Sequence, residues 1–236
     1  MTPKHSRIIS TVLSPACSVW LRSQVSKVED LQVKIEGGDR QILGGYIPRV
    51  SISAHHAVYQ GLHLSEIQLV GENIRINLGQ VIKGKPLRLL EPIPVVGKLL
   101  LQEADLKESL QAPLLSTALT ELLGTLLQSG GIKNPDEALK DQQISWQQVT
   151  IDSERLTLGG VLADADNPTP VVIRSGLTLA SSHELRLAPL EIEMASESPV
   201  RNLDSFQIDL GSEVDIEELT LKPGQLICRG RLRVIP

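Results

Sequence analysis

The sequence predicts an α+β fold: a strongly curved antiparallel β-sheet of bulged hairpins, wrapped along one long amphipathic helix, with a further helix at the N-terminus. Three observations predict it: an apolar interval pattern that occurs three times, a leucine-rich stretch at helical spacing, and apolar–polar alternation elsewhere. We expect a single domain over 1–236, with an N-terminal helix (1–28), strands (29–103), the long helix (105–129) and further strands (142–236).

The N-terminal segment has apolar residues at helical spacing and basic residues without an acid before Glu29. A basic amphipathic helix that carries a tryptophan can lie on an anionic membrane surface, which makes Ile9, Leu13, Trp20 and Arg22 candidate membrane contacts. Packing of the same helix on the body of the protein is the alternative. The apolar stretch is too short for a convincing signal peptide or a transmembrane helix. We therefore expect a cytoplasmic or peripheral membrane protein.

Alternating residues predict strands after this helix, first at Leu31, Val33 and Ile35 and then from Val50 to Val58. A later strand over Leu99 and Leu101 follows Pro92 and Pro94. Since proline cannot donate to a ladder, we expect this segment to be a sheet edge or a connector before the strand.

The recurring pattern spaces six apolar residues by two, three, two, five and two positions. It occurs at Leu62, Leu64, Ile67, Leu69, Ile74 and Ile76, at Ile144, Trp146, Val149, Ile151, Leu156 and Leu158, and at Val214, Ile216, Leu219, Leu221, Leu226 and Cys228. The step of three keeps side chains on one face only if a bulge absorbs one residue. The predicted bulges are Ser65-Glu66, Gln147-Gln148 and Glu217-Glu218, and the step of five predicts a hairpin turn in each copy.

A leucine-rich stretch predicts the long helix. Asp105 and Glu108 have the spacing of a capping box, leucines recur at helical intervals from Leu106, and Gly130-Gly131 ends the run. Pro113 either begins the main helix at its first turn or kinks a longer one.

Composition excludes several classes of function. The net charge of −5 and the scarcity of aromatic residues argue against a nucleic-acid partner. Cys17 and Cys228 form neither a disulfide framework nor a metal spacing. His55 and His56 would point to opposite faces of a strand, so we expect no metal site. No catalytic motif or cofactor loop is present, and we predict a protein that is not an enzyme and needs no cofactor.

The balance of apolar surfaces favours a binding groove. The strands offer about thirty inward aliphatic side chains, whereas the helix supplies about ten. Uncovered apolar surface favours an apolar ligand, and an acyl chain is the obvious one. The predicted site lies between the helix and the concave sheet, lined by Val50, Ile52, Leu69, Leu106, Leu110, Leu114, Ala118 and Leu122.

Three stretches resemble the LmeA-like phospholipid-binding family of bacteria. They are LGGYIPRVSI (43–52), VYQGL (58–62) and LQEADLKESLQAPLL (101–115), the last being similar to that family's strand-to-helix signature. The resemblance implies a curved sheet around a helix and phospholipid binding without catalysis. It carries over no catalytic residue.

We therefore predict non-enzymatic binding or carriage of a phospholipid or another acyl-chain lipid, with a membrane surface as a candidate partner. The alternative is a structural or assembly module with a packed interior that binds a protein through a sheet edge, for which the strand near Pro92 and Pro94 is the candidate. The sequence names neither the lipid headgroup nor a protein partner.

Overall fold

The computed structural model describes residues 25–81, 83–131, 143–163, 168–194 and 201–236. Strands dominate this part of the chain. They are β1 (Asp30–Glu36), β2 (Tyr46–Tyr59), β3 (Leu62–Arg75), β4 (Ile93–Gln102), β5 (Gln143–Ile151), β6 (Leu156–Ala163), β7 (Thr169–Ser181), β8 (Glu184–Met194), β9 (Arg201–Leu203), β10 (Phe206–Asp209), β11 (Val214–Lys222) and β12 (Gln225–Val234). The helices are α1 (Asp39–Leu43), α2 (Leu78–Val81), α3 (Glu103–Ser109) and α4 (Pro113–Ser129).

The strands form two open antiparallel sheets. The first sheet has the order β1-β2-β3-β4-β12-β11, so the C-terminal hairpin completes a sheet that the N-terminal strands begin. The second sheet has the order β10-β8-β7-β6-β5, with β9 beside β8. The prediction of a mostly antiparallel, strand-rich fold is confirmed.

Two of the three hairpin repeats have the predicted geometry. The β5–β6 ladder shifts register between Trp146 and Gln148, and the β11–β12 ladder shifts between Ile216 and Glu218. Both strand pairs are joined by the turn that the step of five predicted, over 152–155 and 223–224. Polar bulge pairs and short turns therefore identified these hairpins correctly.

The first repeat folds differently, and its predicted hairpin turn is wrong. The strand β3 runs unbroken through the step of five, and its pairing with β2 keeps one register from Ile47–Ile74 to Tyr59–Leu62. The irregularities lie instead at His56 and Asn73, which have positive φ angles of 46° and 56°. At these two bends the strands accommodate the steps of three and five while the pairing register stays constant. The turn falls at Gln60-Gly61.

The edge prediction for the proline-bearing strand is also wrong. The strand β4 lies inside the first sheet, between β3 and β12. Pro94 is accommodated because β4 pairs with β3 only from Val95 to Leu100, so at Pro94 the ladder exists on the β12 side alone. The missing N–H of proline therefore costs no ladder bond.

The structure divides the helix predicted over 105–129 into α3 and α4, which meet at 88°. Gln102 rather than Asp105 occupies the N-cap of α3, and Pro113 is the first residue of α4. Because a residue before proline avoids helical geometry, Ala112 is extended (φ −65°, ψ 130°) and breaks the run. At 17 residues, α4 is about 25 Å long.

The buried residues form two clusters, one centred on each sheet, and Leu221 of β11 in the first sheet joins the cluster of the second sheet. Leu123, Leu126 and Leu127 of α4 pack on the second sheet together with Trp146, and all four are at most 1% exposed. The core of the first sheet is separate and is built from its own strands with α1 and α2. Its buried members are Ile35, Ile42, Ile47, Ile74, Ile76, Leu78, Ile93 and Val95.

Across the described ranges, no single helix has the length and apolarity to cross a membrane. Only α3 and α4 taken together reach that length, and they do so as a sharply bent pair. The buried leucines of α4 belong to the core of the second sheet.

Candidate functional site

Apolar rows cross the first sheet on one face, because directly paired residues of antiparallel strands point the same way. One row runs across all six strands, and a second runs parallel to it. The first row is Ile35, Val50, Gly71, Val95, Leu232 and Val214, and the second is Val33, Ile52, Leu69, Gly97, Gly230 and Ile216. Several of these side chains are only half buried. This face therefore carries more apolar surface than the described residues cover.

Two glycines deepen the centre of this face. A Cβ atom added at Gly71 would lie 3.3 Å from Ile74 Cδ1, and one added at Gly97 would lie 3.2 Å from Leu69 Cδ2. Both positions are within strands, where glycine otherwise weakens pairing and packing. The absence of a side chain at Gly71 leaves room beside its buried neighbours.

A cavity of about 640 Å³ occupies this room. We call it the sheet groove. Its lining is almost wholly aliphatic and comes from β2, β3, β4, β12, the segment before β4 and the C-terminal residues: Val50, Ile52, Leu69, Gly71, Ile74, Leu87, Arg88, Leu89, Ile93, Val95, Leu232, Val234, Ile235 and Pro236. Buried residues form its floor, while Arg88 and Ile235 are exposed at its mouth. Its volume is in the range of small-molecule and lipid sites.

Asn77 holds the backbone of Arg88, the one cationic residue among the described residues that line the groove. Its side chain accepts a hydrogen bond from the Arg88 backbone N–H (2.7 Å) and donates one to the Pro86 carbonyl (2.9 Å). Asn77 is 8% exposed, so these bonds are sheltered from water. The segment from 86 to 88 is therefore held against the end of β3, with Arg88 at the mouth of an otherwise apolar groove.

The structure separates the eight predicted lining residues into two groups. Val50, Ile52 and Leu69 line the sheet groove. The five helical residues do not: Leu110 is 1% exposed inside the core of the second sheet, where Leu106 and Leu122 also pack, whereas Leu114 and Ala118 face solvent. The break at Pro113 and the packing of α4 on the other sheet separate them from the first three.

The predicted membrane contacts Ile9, Leu13, Trp20 and Arg22 lie outside the described residues. Sequence reasoning missed the contribution of the C-terminal strand, namely Leu232, Val234 and Ile235. Their alternation with Arg231 and Arg233 was a strand signal. The pairing of β12 with β4, however, joins residues more than a hundred positions apart and has no local signature.

A polar cluster beside α3 has the residue types of a catalytic site but not its geometry. The Ser65 hydroxyl donates to the Asp105 carboxylate and accepts from the Gln102 backbone N–H, while His56 Nδ1 lies 3.9 Å from Asp105. A nucleophilic serine must be hydrogen-bonded to its base, and here the histidine faces the carboxylate instead. This cluster fastens α3 to β3. Among the described residues, no group of three or more potential metal ligands comes together.

Comparison with known proteins gives one match. The family model for LmeA-like phospholipid-binding proteins matches residues 5–231, which is nearly the whole chain. No curated protein and no solved structure matches the chain. The matched range includes strands of both sheets and extends into β12 as far as Arg231. The chain belongs to the LmeA-like phospholipid-binding family.

Proposed function

We propose that this protein binds a phospholipid or another acyl-chain lipid without catalysing a reaction on it, and that the acyl chain lies in the sheet groove. The observation that carries this proposal is the lining: an open cavity of about 640 Å³ whose walls are aliphatic apart from one arginine at the mouth. Family membership supports a lipid as the ligand. The groove replaces the predicted site between the sheet and the long helix.

The chemistry of the groove matches the two parts of a phospholipid. Each methylene transferred from water to an apolar wall contributes about 0.8 kcal/mol, so an acyl chain gains most from the floor formed by Gly71, Ile74 and Val95. Arg88 lies at the mouth, where a guanidinium can pair with a phosphate oxygen. Binding therefore requires no covalent step.

Filling the groove tests the proposal. Gly71→Leu places a side chain into the cavity, and we expect the variant to lose uptake of a fluorescent phospholipid. Native mass spectrometry should detect bound lipid in the purified wild type and none in the variant. Gly159→Val is the matched control, because a Cβ atom there meets Gln148 at a similar 3.3 Å but lies in the second sheet.

Wild-type protein that carries no lipid and takes up none contradicts the proposal. So does a folded Gly71→Leu variant that takes up lipid as well as the Gly159→Val control does. Circular dichroism of both variants establishes that a loss of uptake is not a loss of fold.

A further inference from the structure

The segment between β3 and β4 brings exposed leucines and cations together beside the groove mouth. Leu43 and Leu90, each 57% exposed, line the same shallow cavity as Lys83, although Leu43 belongs to α1. A single exposed leucine is ordinary, but apolar side chains that form one patch rimmed by polar groups mark an interaction site. We call Leu43, Leu90, Lys83, Lys85 and Arg88 the docking patch.

Backbone geometry holds the two parts of this patch in place. Gly45 has a φ of +78°, and a Cβ atom there would lie 2.6 Å from the Ile76 carbonyl oxygen. The Ile76 N–H donates to the Gly45 carbonyl at 2.8 Å. Only glycine allows this contact, which sets the end of α1 against the start of the segment that carries the cations. The two exposed leucines therefore lie on segments that are held together, and both line the same shallow cavity.

The charge of the segment is one-sided. From 76 to 90 it contains Lys83, Lys85 and Arg88 and no acidic residue. None of these three side chains forms an ion pair with a residue that the structure describes. The flanking Glu91 forms an ion pair with Arg75, with 3.5 Å between Arg75 Nε and Glu91 Oε2. An anionic surface would complement the three cations.

The patch is continuous with the groove. Leu89 and Leu90 are adjacent, and Leu89 lines the sheet groove while Leu90 lines the shallow cavity of the patch. Arg88 belongs to both the patch and the groove mouth. A bilayer lying on the patch would therefore meet the opening through which an acyl chain enters.

We propose that the docking patch binds the surface of an anionic lipid bilayer, with Leu43 and Leu90 inserted among the headgroups and the three cations facing lipid phosphates. Amphipathic surfaces of this composition bind membranes by burying apolar side chains and by attraction to anionic lipids. The orientation places the groove mouth at the membrane. This inference rests on the proposed function, because it describes how the same groove would receive its ligand.

Vesicle co-sedimentation of the full chain tests the docking patch. We expect Leu43→Ser/Leu90→Ser to weaken binding to phosphatidylcholine–phosphatidylglycerol vesicles roughly tenfold. Leu114→Ser is the matched control, since Leu114 is 50% exposed on α4 and lies outside the patch. Unchanged binding of the double variant, or an equal loss with the control, overturns the proposal.

Charge reversal tests the electrostatic part. Lys83→Glu/Lys85→Glu should weaken binding to the mixed vesicles by roughly tenfold or more and leave binding to pure phosphatidylcholine unchanged. Lys98→Glu, on an exposed position of β4, should change neither. Equal losses on both vesicle types overturn the assignment of an anionic surface.

Two further measurements separate this inference from its alternatives. Repeating the comparison in a Trp20→Ala background removes the tryptophan of the N-terminal segment, and the loss caused by Leu43→Ser/Leu90→Ser should persist there. A changed oligomeric state of this double variant with intact vesicle binding would show that the patch contacts a protein, which overturns the proposal.

Uptake of a fluorescent lysophospholipid from solution distinguishes docking from groove binding. The Leu43→Ser/Leu90→Ser variant should keep this uptake and show the weakened vesicle binding, whereas Gly71→Leu should lose uptake and bind vesicles as the wild type does. The docking patch fails if Leu43→Ser/Leu90→Ser loses uptake but still binds vesicles. If Gly71→Leu keeps both lysophospholipid uptake and vesicle binding, the result contradicts ligand binding in the sheet groove but not the docking patch.

Discussion

Asn77 illustrates how one buried amide determines the shape of the groove mouth. Its side chain satisfies the Arg88 N–H and the Pro86 carbonyl, two backbone groups that no ladder serves. We expect Asn77→Leu to lower the free energy of unfolding by about 1–3 kcal/mol, because both groups lose their partner. Urea unfolding measures this, with the exposed Gln68→Ala as the control. If Asn77→Leu lowers the free energy of unfolding by less than Gln68→Ala does, this role of Asn77 is contradicted.

Cys228 lies on the apolar face of the first sheet, paired with Leu99. Burial, and secondarily the charge of Glu218, raises the pKa of its thiol above the ordinary value. Since only the thiolate reacts, a raised pKa keeps the folded protein slow to alkylate until the pH exceeds the range in which a free cysteine ionises.

The pH dependence of iodoacetamide labelling checks this expectation in a Cys17→Ser variant, where Cys228 alone can react. The midpoint of the rate should lie at higher pH in the folded protein than in urea. Equal midpoints would show that the folded environment leaves this thiol unchanged.

At the scale of elements, α3 is fastened to β3 by polar groups. Ser65 is 3% exposed and links Asp105 to the Gln102 N–H, and the Ser109 hydroxyl accepts from the His63 N–H at 2.8 Å. We expect Ser65→Ala to cost about 1–3 kcal/mol, because it leaves a carboxylate and an N–H without their partner. Thermal unfolding measures this loss.

Ser53→Ala is the matched control for that measurement. Ser53 lies on β2 of the same sheet, is half buried, and its hydroxyl bonds to no described residue. A Ser65→Ala variant as stable as this control would show that apolar packing alone holds α3 in place.

The elements that sequence predicted well are those with local causes. The hairpins β5–β6 and β11–β12 follow from alternation, a polar bulge pair and a short turn within about twenty residues. The first repeat has the same intervals, yet its turn lies at Gly61, where a Cβ atom would lie 2.8 Å from that of Ala112. Both turn residues, Gln60 and Gly61, have positive φ angles, and this backbone geometry is not encoded in the spacing of the apolar residues.

The helix shows the same distinction. Its leucine periodicity was sufficient to predict α4, and Pro113 offered two interpretations, a start or a kink. The structure adopts the start, because α3 is held by β3 while α4 packs on the second sheet. Three groove residues on β2 and β3 were predictable from alternation. Those on β12 depended on a long-range pairing and were not.

For the whole molecule, the core centred on the second sheet and the proposed binding groove lie in different places. Leu190 is fully buried in the core of the second sheet, away from the groove. Leu190→Ala should lower the free energy of unfolding by about 2–5 kcal/mol and leave lipid uptake per folded molecule unchanged. Urea unfolding combined with uptake below the transition measures both. Lost uptake in a fully folded variant would show that the two sheets are coupled.

The order of strands in the first sheet also bears on how the protein is made. While β4 is emerging from the ribosome, its partner β12 has not been synthesised, because β12 follows β4 by more than a hundred residues. Until β12 has been synthesised, the inner strand β4, which carries Val95 and Leu99, has a partner on one side only. The lipid site that we propose is therefore complete only once β12 has been synthesised.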